Sequence, residues 1–260
     1  MNIGVSTGCF FPEKTDTAFE MVAETGAKTA EIFFNTDSEL DEHFVNKLKK
    51  TAEENNIKVI SVHPFTSAIE TFMFFSRTDY KLEDSVKYYE KYFKACNILG
   101  AEYVVIHGCN IMADYMDMKR YADNLNALSR KAREYGVYIS QENVVKFKCG
   151  YAENLRKFIR YADKDIKFVF DFKQSIRADQ DMYEIIDIMG NRISHLHVSD
   201  YDGKTESLLP GQGSVDFCKL FDYVHSRYNV NNAIIEVYNE NMKGICGLSD
   251  AIAYLDKYNI

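Results

Sequence analysis

The chain has 260 residues, 46% hydrophobic and 27% charged, which is ordinary for a water-soluble globular protein and long enough for a substantial core. Its 39 Asp and Glu against 31 Lys and Arg give a formal net charge of −8. The positive residues are scattered, and this counts against a nucleic-acid partner, whose phosphates are held by clustered cations that release counterions.

Eight short apolar runs rich in Val, Ile, Phe and Tyr mark strands in chain order: Ile3–Thr7, Thr29–Phe33, Val59–His63, Tyr103–His107, Tyr138–Glu142, Lys167–Asp171, Ile193–His197 and Ala233–Val237. Helix-period segments lie between them, among them AFEMVAETG, VNKLKKTAEENN, VKYYEKYFKACNILG and LNALSRKAREYG. Gly26, Gly100, Gly136 and Gly190 each close such a segment shortly before the next strand, as left-handed helix stops do. A final helix is expected from about Ser249 to Tyr258. Three prolines, no Gly/Ser-rich linker and no low-complexity tract predict one domain over 1–260. Eight alternating units of this length predict an α/β fold, a single (β/α)8 TIM barrel. The rival, a doubly wound open sheet, would draw its site from two or three strands at one switch point.

The strand ends favour closure. His63, His107, Glu142, Asp171, His197 and Glu236 each end one of six successive runs, 26 to 44 residues apart. A barrel would gather all of them at its top face, where barrel enzymes do chemistry. Alternation along a strand puts His195 and His197 on one face, Glu236 inward with Ile234, and Glu31 inward beside Phe33. Taken singly, each has a bland reading: a histidine that caps a loop, a carboxylate that caps the next helix. Taken together, Glu142, Asp171 and Glu236 on one axis would repel one another, and a divalent cation removes that conflict. Glu142, Asp171, His197 and Glu236 form a mostly oxygen ligand set that suits Mn, Mg or Co, and Zn with open positions. His63 and His107 would hold a second cation with Glu142 bridging, or donate hydrogen bonds to substrate hydroxyls. Glu31 is left as either a substrate contact or a buried partner to a lysine.

Other signals are weaker. Pro210-Gly-Gln-Gly-Ser-Val-Asp216 carries a GxG that either brings backbone close to substrate or is a plain loop; it is no dinucleotide fingerprint. The aromatic stretch FTSAIETFMFFSRTDY after the third run either walls a pocket or packs in the core. The six cysteines (9, 96, 109, 149, 218 and 246) form no CxxC pair and read mostly as small hydrophobes, Cys109 included. MNIGVSTGCFF has no basic leader or cleavage site, and no apolar run reaches membrane-spanning length, so a cytoplasmic protein without a membrane partner is expected.

These residues in this order resemble the xylose isomerase-like barrel superfamily of sugar isomerases and epimerases, inosose isomerase-type enzymes and the endonuclease IV family. The likeness runs over essentially the whole chain and is carried by VHPF at 62–65, VIHG at 105–108, QEN at 141–143, VFDF at 169–172, HLHVSD at 195–200, PGQGSVDF at 210–217 and IIEVY at 234–238. It implies one divalent ion held by Glu142, Asp171, His197 and Glu236. The chain departs from the group's Asp-x-x-His after the sixth strand, showing Asp171-Phe-Lys-Gln174 instead. A glutamine amide still hydrogen-bonds a hydroxyl but is a poor zinc ligand and shuttles no proton. The Asp-x-His pair of the endonucleases is also missing after Asp200, which argues against a three-metal phosphodiesterase.

The expected activity is isomerisation or epimerisation of a small sugar or related polyhydroxy carbonyl compound through an enediolate. By the resemblance, Glu142 and Glu236 stand on opposite sides of the substrate as proton acceptor and donor, with His63, His107, Lys173, Gln174 and His195 positioning its oxygens. The rivals are a metal-dependent phosphoesterase using His63, His107 and Glu142 as a second metal site, and a non-catalytic sugar-binding barrel. Dimers and tetramers are common in that group.

Overall fold

The computed structural model describes residues 1–258. The chain opens with β1 (Asn2–Ser6), which ends where Ser6 turns its hydroxyl onto the Gly8 amide and starts a short 3-10 turn. Helix α1 (Thr15–Glu24) follows, then β2 (Thr29–Phe33). Asp41 caps α2 (Glu42–Asn55) by accepting from the His43 amide, and left-handed Asn56 stops it before β3 (Lys58–His63). The aromatic segment after β3 folds into a 3-10 turn and α3 (Glu70–Met73), ahead of α4 (Asp79–Leu99). Gly100, at φ +72°, ends α4 and leads into β4 (Tyr103–Ile106).

In the second half α5 (Met118–Glu134), capped by Asp117, precedes β5 (Tyr138–Glu142), and α6 (Ala152–Ile159) precedes β6 (Lys167–Asp171). Helix α7 (Phe172–Arg177) starts directly on Asp171, whose carboxylate accepts from the Gln174 amide. Then come α8 (Met182–Met189), β7 (Ile193–Val198), α9 (Phe217–Tyr228), β8 (Asn232–Ile235) and α10 (Gly244–Asp256). The last helix therefore begins five residues earlier than its apolar pattern suggested, at left-handed Lys243.

The strands pair in sequence order, all parallel, and β1 closes on β8 with Ile3 level with Ala233 and Val5 with Ile235. Closure rules out the doubly wound alternative. Leu196, Val198, Ile106 and Phe170, on the outward face of their strands, are fully or almost fully buried under the helical layer. Burial of each such side chain contributes about 1.5–3 kcal/mol. The segment after β3 serves both roles the sequence offered: Phe74 and Phe75 are buried, Phe75 stacked on Tyr121 at 4.5 Å, while Phe65 and Ser67 face the barrel mouth.

Two irregularities aim side chains at the axis. Register shifts between Ala30 and Glu31 in β2, leaving Glu31 level with Ser6 on one side and Ser61 on the other. A second shift at Phe168/Val169 brings Asp171 level with His197. Such shifts commonly re-aim side chains beside functional sites.

Candidate active site

At the carboxyl end of the barrel a cleft of about 360 Å³ is lined by His63, His107, Glu142, Lys173, Gln174 and Glu236, with Phe11, Phe33 and Tyr238 at its walls. His63 and Glu142 are the last residues of β3 and β5, whereas β4 ends at Ile106 and β8 at Ile235, so His107 and Glu236 sit one residue past their strands. Glu236 is still tied to the sheet, its amide donating to Val198 O at 3.1 Å.

Ligand atoms of Glu142, Asp171, His197 and Glu236 all lie within 4.8 Å of one another. His197 Nδ1 stands between the two glutamates, 3.6 Å from Glu142 Oε1 and 3.5 Å from Glu236 Oε2. Glu142 Oε2, Asp171 Oδ2 and His197 Nδ1 are buried with no hydrogen-bond partner. Buried polar atoms are normally satisfied, and three orphans carried by residues of one tetrad fit a site that holds a divalent cation. The donor set, three carboxylates and one imidazole, suits such an ion.

The second group is adjacent. His107 Nε2 lies 3.1 Å from both His63 Nε2 and Glu142 Oε2, the latter too far off axis for a hydrogen bond. His63 Nε2 is 3.7 Å from the same oxygen. His63, His107 and Glu142 thus form a further triad with metal-ligand spacing, and His107, with 22% of its side chain exposed, faces the cleft.

Burial opposes charge throughout the site. At Glu142 the neighbouring His107, His197 and His63 outweigh it and hold the carboxyl well below its usual range. At Glu236 Lys173 and His197 do the same, drawing it down to about 2. At Asp171 burial prevails against Lys173, and with Glu142 and Glu236 adding their repulsion the carboxyl is pushed up to about 7. The tetrad is short of positive charge.

Lys173 supplies some of it. Because α7 begins directly after Asp171, Lys173 and Gln174 are buried and border the cleft, and Phe172 is buried as well. Lys173 Nζ reaches Glu236 Oε2 at 3.2 Å and Asp171 Oδ2 at 3.6 Å. Gln174 accepts the Val145 amide on Oε1 at 3.2 Å and borders the cleft.

One expectation is corrected. His195 does not line the cleft; it is fully buried, with Nδ1 2.9 Å from Ser194 Oγ and Nε2 3.5 Å from Glu31. Its strand position is two residues short of the rim, so the shared face with His197 places it one layer deeper. Of the two roles left open for Glu31, a lysine partner is not found among the described residues. Its carboxylate meets Ser6, Ser61, His195 and His197. The Pro210–Asp216 loop is a plain loop wrapped around Asp200, whose carboxylate accepts the amides of Tyr201, Gly211, Gly213 and Val215 at 2.8–3.0 Å. A Cβ on Gly213 would collide with Asp200 Oδ1 and Tyr201 O, which accounts for the second glycine. Cys109 is buried with its thiol pushed up to about 11 by that burial.

Two supporting residues escaped the sequence. Gln141 donates to Ile106 O, His107 O and Glu142 O, tying the ends of β4 and β5. Buried Glu70 accepts the Gly108 amide at 2.6 Å and Tyr89 OH at 3.1 Å, anchoring the turn beside His107. A lone carboxylate inside an aromatic segment was the available signal.

The class is that of a barrel that gathers acidic and imidazole groups at its upper rim. The chain belongs to the xylose isomerase-like TIM barrel family, whose model matches residues 19–258. Among solved structures it is similar to a D-tagatose 3-epimerase-like protein (21% identity, TM-score 0.79, covering 100% of this chain and 97% of that one). It is also similar to the 3-keto-D-glucoside 4-epimerase YcjR from E. coli (19%, 0.77, 99% and 99%). A third likeness is to the IolI protein with a bound zinc atom (18%, 0.76, 100% and 96%). These likenesses establish the fold. Among the described residues no helix is long and apolar enough to cross a membrane.

Proposed function

We propose that this barrel is a divalent-metal-dependent isomerase or epimerase of a small sugar or related polyhydroxy carbonyl compound. The observation that carries the reading is the tetrad Glu142, Asp171, His197 and Glu236, whose ligand atoms converge within 4.8 Å and whose residues carry three buried orphans. The epimerase activities named for similar barrels and the zinc in IolI support it.

Those four residues would hold the ion. Bound there, it would supply positive charge to the carbonyl and hydroxyl oxygens of the substrate and stabilise the developing oxyanion. The chain's own groups do the rest. Glu142 and Glu236, their charge favoured by His107 and Lys173 among others, are the two carboxyl groups placed for proton transfer. One, as carboxylate, takes the proton from the carbon next to the carbonyl, leaving an enediolate, and the other, having taken a proton from solvent, returns it as the acid to the opposite face. His63, His107, Lys173 and Gln174 border the same cleft as hydrogen-bonding groups for substrate oxygens, and Phe33 and Phe11 give it apolar walls. The volume of about 360 Å³ admits a single sugar.

The test is solvent exchange. In deuterium oxide, ketoses incubated with metal-reconstituted enzyme are expected to take up one deuteron at the carbon beside the carbonyl. Ligand binding with no label in any sugar of the panel would sink the reading.

Lys173 favours a second reading. Its ammonium already faces Glu236 and Asp171, so a sugar-binding barrel without turnover could balance its charge internally. It predicts binding without exchange and no requirement for metal. The phosphoesterase alternative rests on the His63–His107–Glu142 triad; it predicts two or more metals per chain and salt-sensitive DNA binding.

A further inference from the structure

Glu31 is a fully buried carboxylate with no task in the chemistry above. The register shift in β2 turns it into the barrel beneath the cleft, in one layer with Ser6 and Ser61. Ser61 Oγ donates to its Oε2 at 2.8 Å and Ser6 Oγ to its Oε1 at 3.2 Å. His197 Nε2 lies 3.1 Å from Oε2 in hydrogen-bond geometry, and His195 Nε2 lies 3.5 Å away without it. Among the described residues no lysine or arginine pairs with it.

An ionised carboxylate carries acceptors only, so in this hydrogen bond the ring proton sits on His197 Nε2. In the neutral ring, the form in which an imidazole ligates a metal, the opposite nitrogen, Nδ1, then presents a lone pair. That atom is the buried orphan between Glu142 and Glu236. One ring thus has a carboxylate behind it and the candidate cation site in front. Such a carboxylate fixes the tautomer and plane of an imidazole ligand and raises its basicity.

We propose that Glu31 is a positioning residue: held by Ser6 and Ser61, it locks His197 in the Nε2-protonated tautomer so that Nδ1 can ligate the divalent ion. This rests on the metal reading above. The bland counterpart is a buried polar hub that keeps the barrel interior satisfied; its loss would lower stability and leave metal affinity untouched.

The test uses zinc ion alone as probe, titrated in competition with a chromophoric chelator. Wild type, Glu31→Gln and Glu31→Leu are compared, with circular dichroism and melting curves checking the fold of each. For Glu31→Leu the zinc dissociation constant is expected to rise about 10- to 100-fold. Glu31→Gln, which retains an acceptor oxygen, should fall between it and wild type. In zinc-loaded wild type, nitrogen-15 imidazole spectra should place the His197 proton on Nε2, and this holds even should Glu31→Leu fail to fold. A proton on Nδ1, or folded Glu31→Leu that binds zinc as tightly as wild type, overturns the positioning role. Wild type that takes up no zinc overturns the metal reading itself.

Discussion

Glu236→Gln separates chemistry from architecture at this site. The substitution keeps the side chain's volume and removes its charge. At an effective dielectric of 20, the 3.2 Å contact with Lys173 is worth about 5 kcal/mol of gross attraction. Each ionised neighbour in the tetrad, within 4.8 Å, opposes it by at least about 3 kcal/mol. Repulsion from Glu142 and Asp171 opposes the attraction to Lys173, so only part of that gross energy is lost with the charge. Lys173 also keeps Asp171 at 3.6 Å. The fold should persist, with a melting midpoint within about 5 °C of wild type. Proton transfer should not. Loss of a positioned acid–base group costs about 100- to 10,000-fold in rate, or about 3–5 kcal/mol of barrier. The assay follows turnover and solvent deuterium uptake on a ketose panel, alongside the metal content of each variant. Full turnover by a folded, metal-loaded Glu236→Gln would refute the assignment.

Saturating divalent metal should raise stability by about 2.7 kcal/mol at a hundredfold excess over its dissociation constant, seen as a higher melting midpoint that a chelator reverses; a midpoint indifferent to both would count against a native site. Asp200→Ala leaves four backbone amides without their acceptor, and should cost about 3–5 kcal/mol in denaturant unfolding, at about 1.5–3 kcal/mol per charged hydrogen bond with partial recovery through water. Gly213→Ala, whose Cβ would strike Asp200 and Tyr201 O, should destabilise comparably, and a neutral result would show that the loop can shift. Burial raises the Glu70 carboxyl from its ordinary 4.5 to about 8, against the Gly108 amide. A group raised in the fold holds its proton longer than in the unfolded chain, so its stabilising contribution is full below about 4.5 and lost as pH rises through about 8. Glu70→Gln, with no proton to lose, should gain on wild type by roughly 2–4 kcal/mol across that window; parallel stability curves would contradict it.

Much of this was legible because two periodicities are strong. Runs of Val, Ile and Phe located the strands, and β2, β5 and β6 match their predicted bounds. The ligand-type residues at run ends met at the rim because parallel closure leaves strand ends nowhere else to point. What stayed hidden depends on contacts across the barrel. Glu31 and His197 are 166 residues apart, and only closure brings β2 opposite β7. Lys173 is expected beside substrate, but its contacts with Glu236 and Asp171 become visible only once α7 is seen to start directly after Asp171. The glycine loop's purpose lay in the carboxylate of Asp200, ten or more residues upstream, and α3 is too short to carry a period.

The central claim is the divalent ion, and metal content per chain tests it most directly. Protein purified without chelator or metal-affinity contact would be assayed by plasma mass spectrometry and again after reconstitution with Mn, Co, Zn or Mg. The tetrad predicts about one ion per chain, lost in a combined Glu142→Gln and Asp171→Asn variant. A folded wild-type protein that holds no ion under any of these conditions would contradict the account.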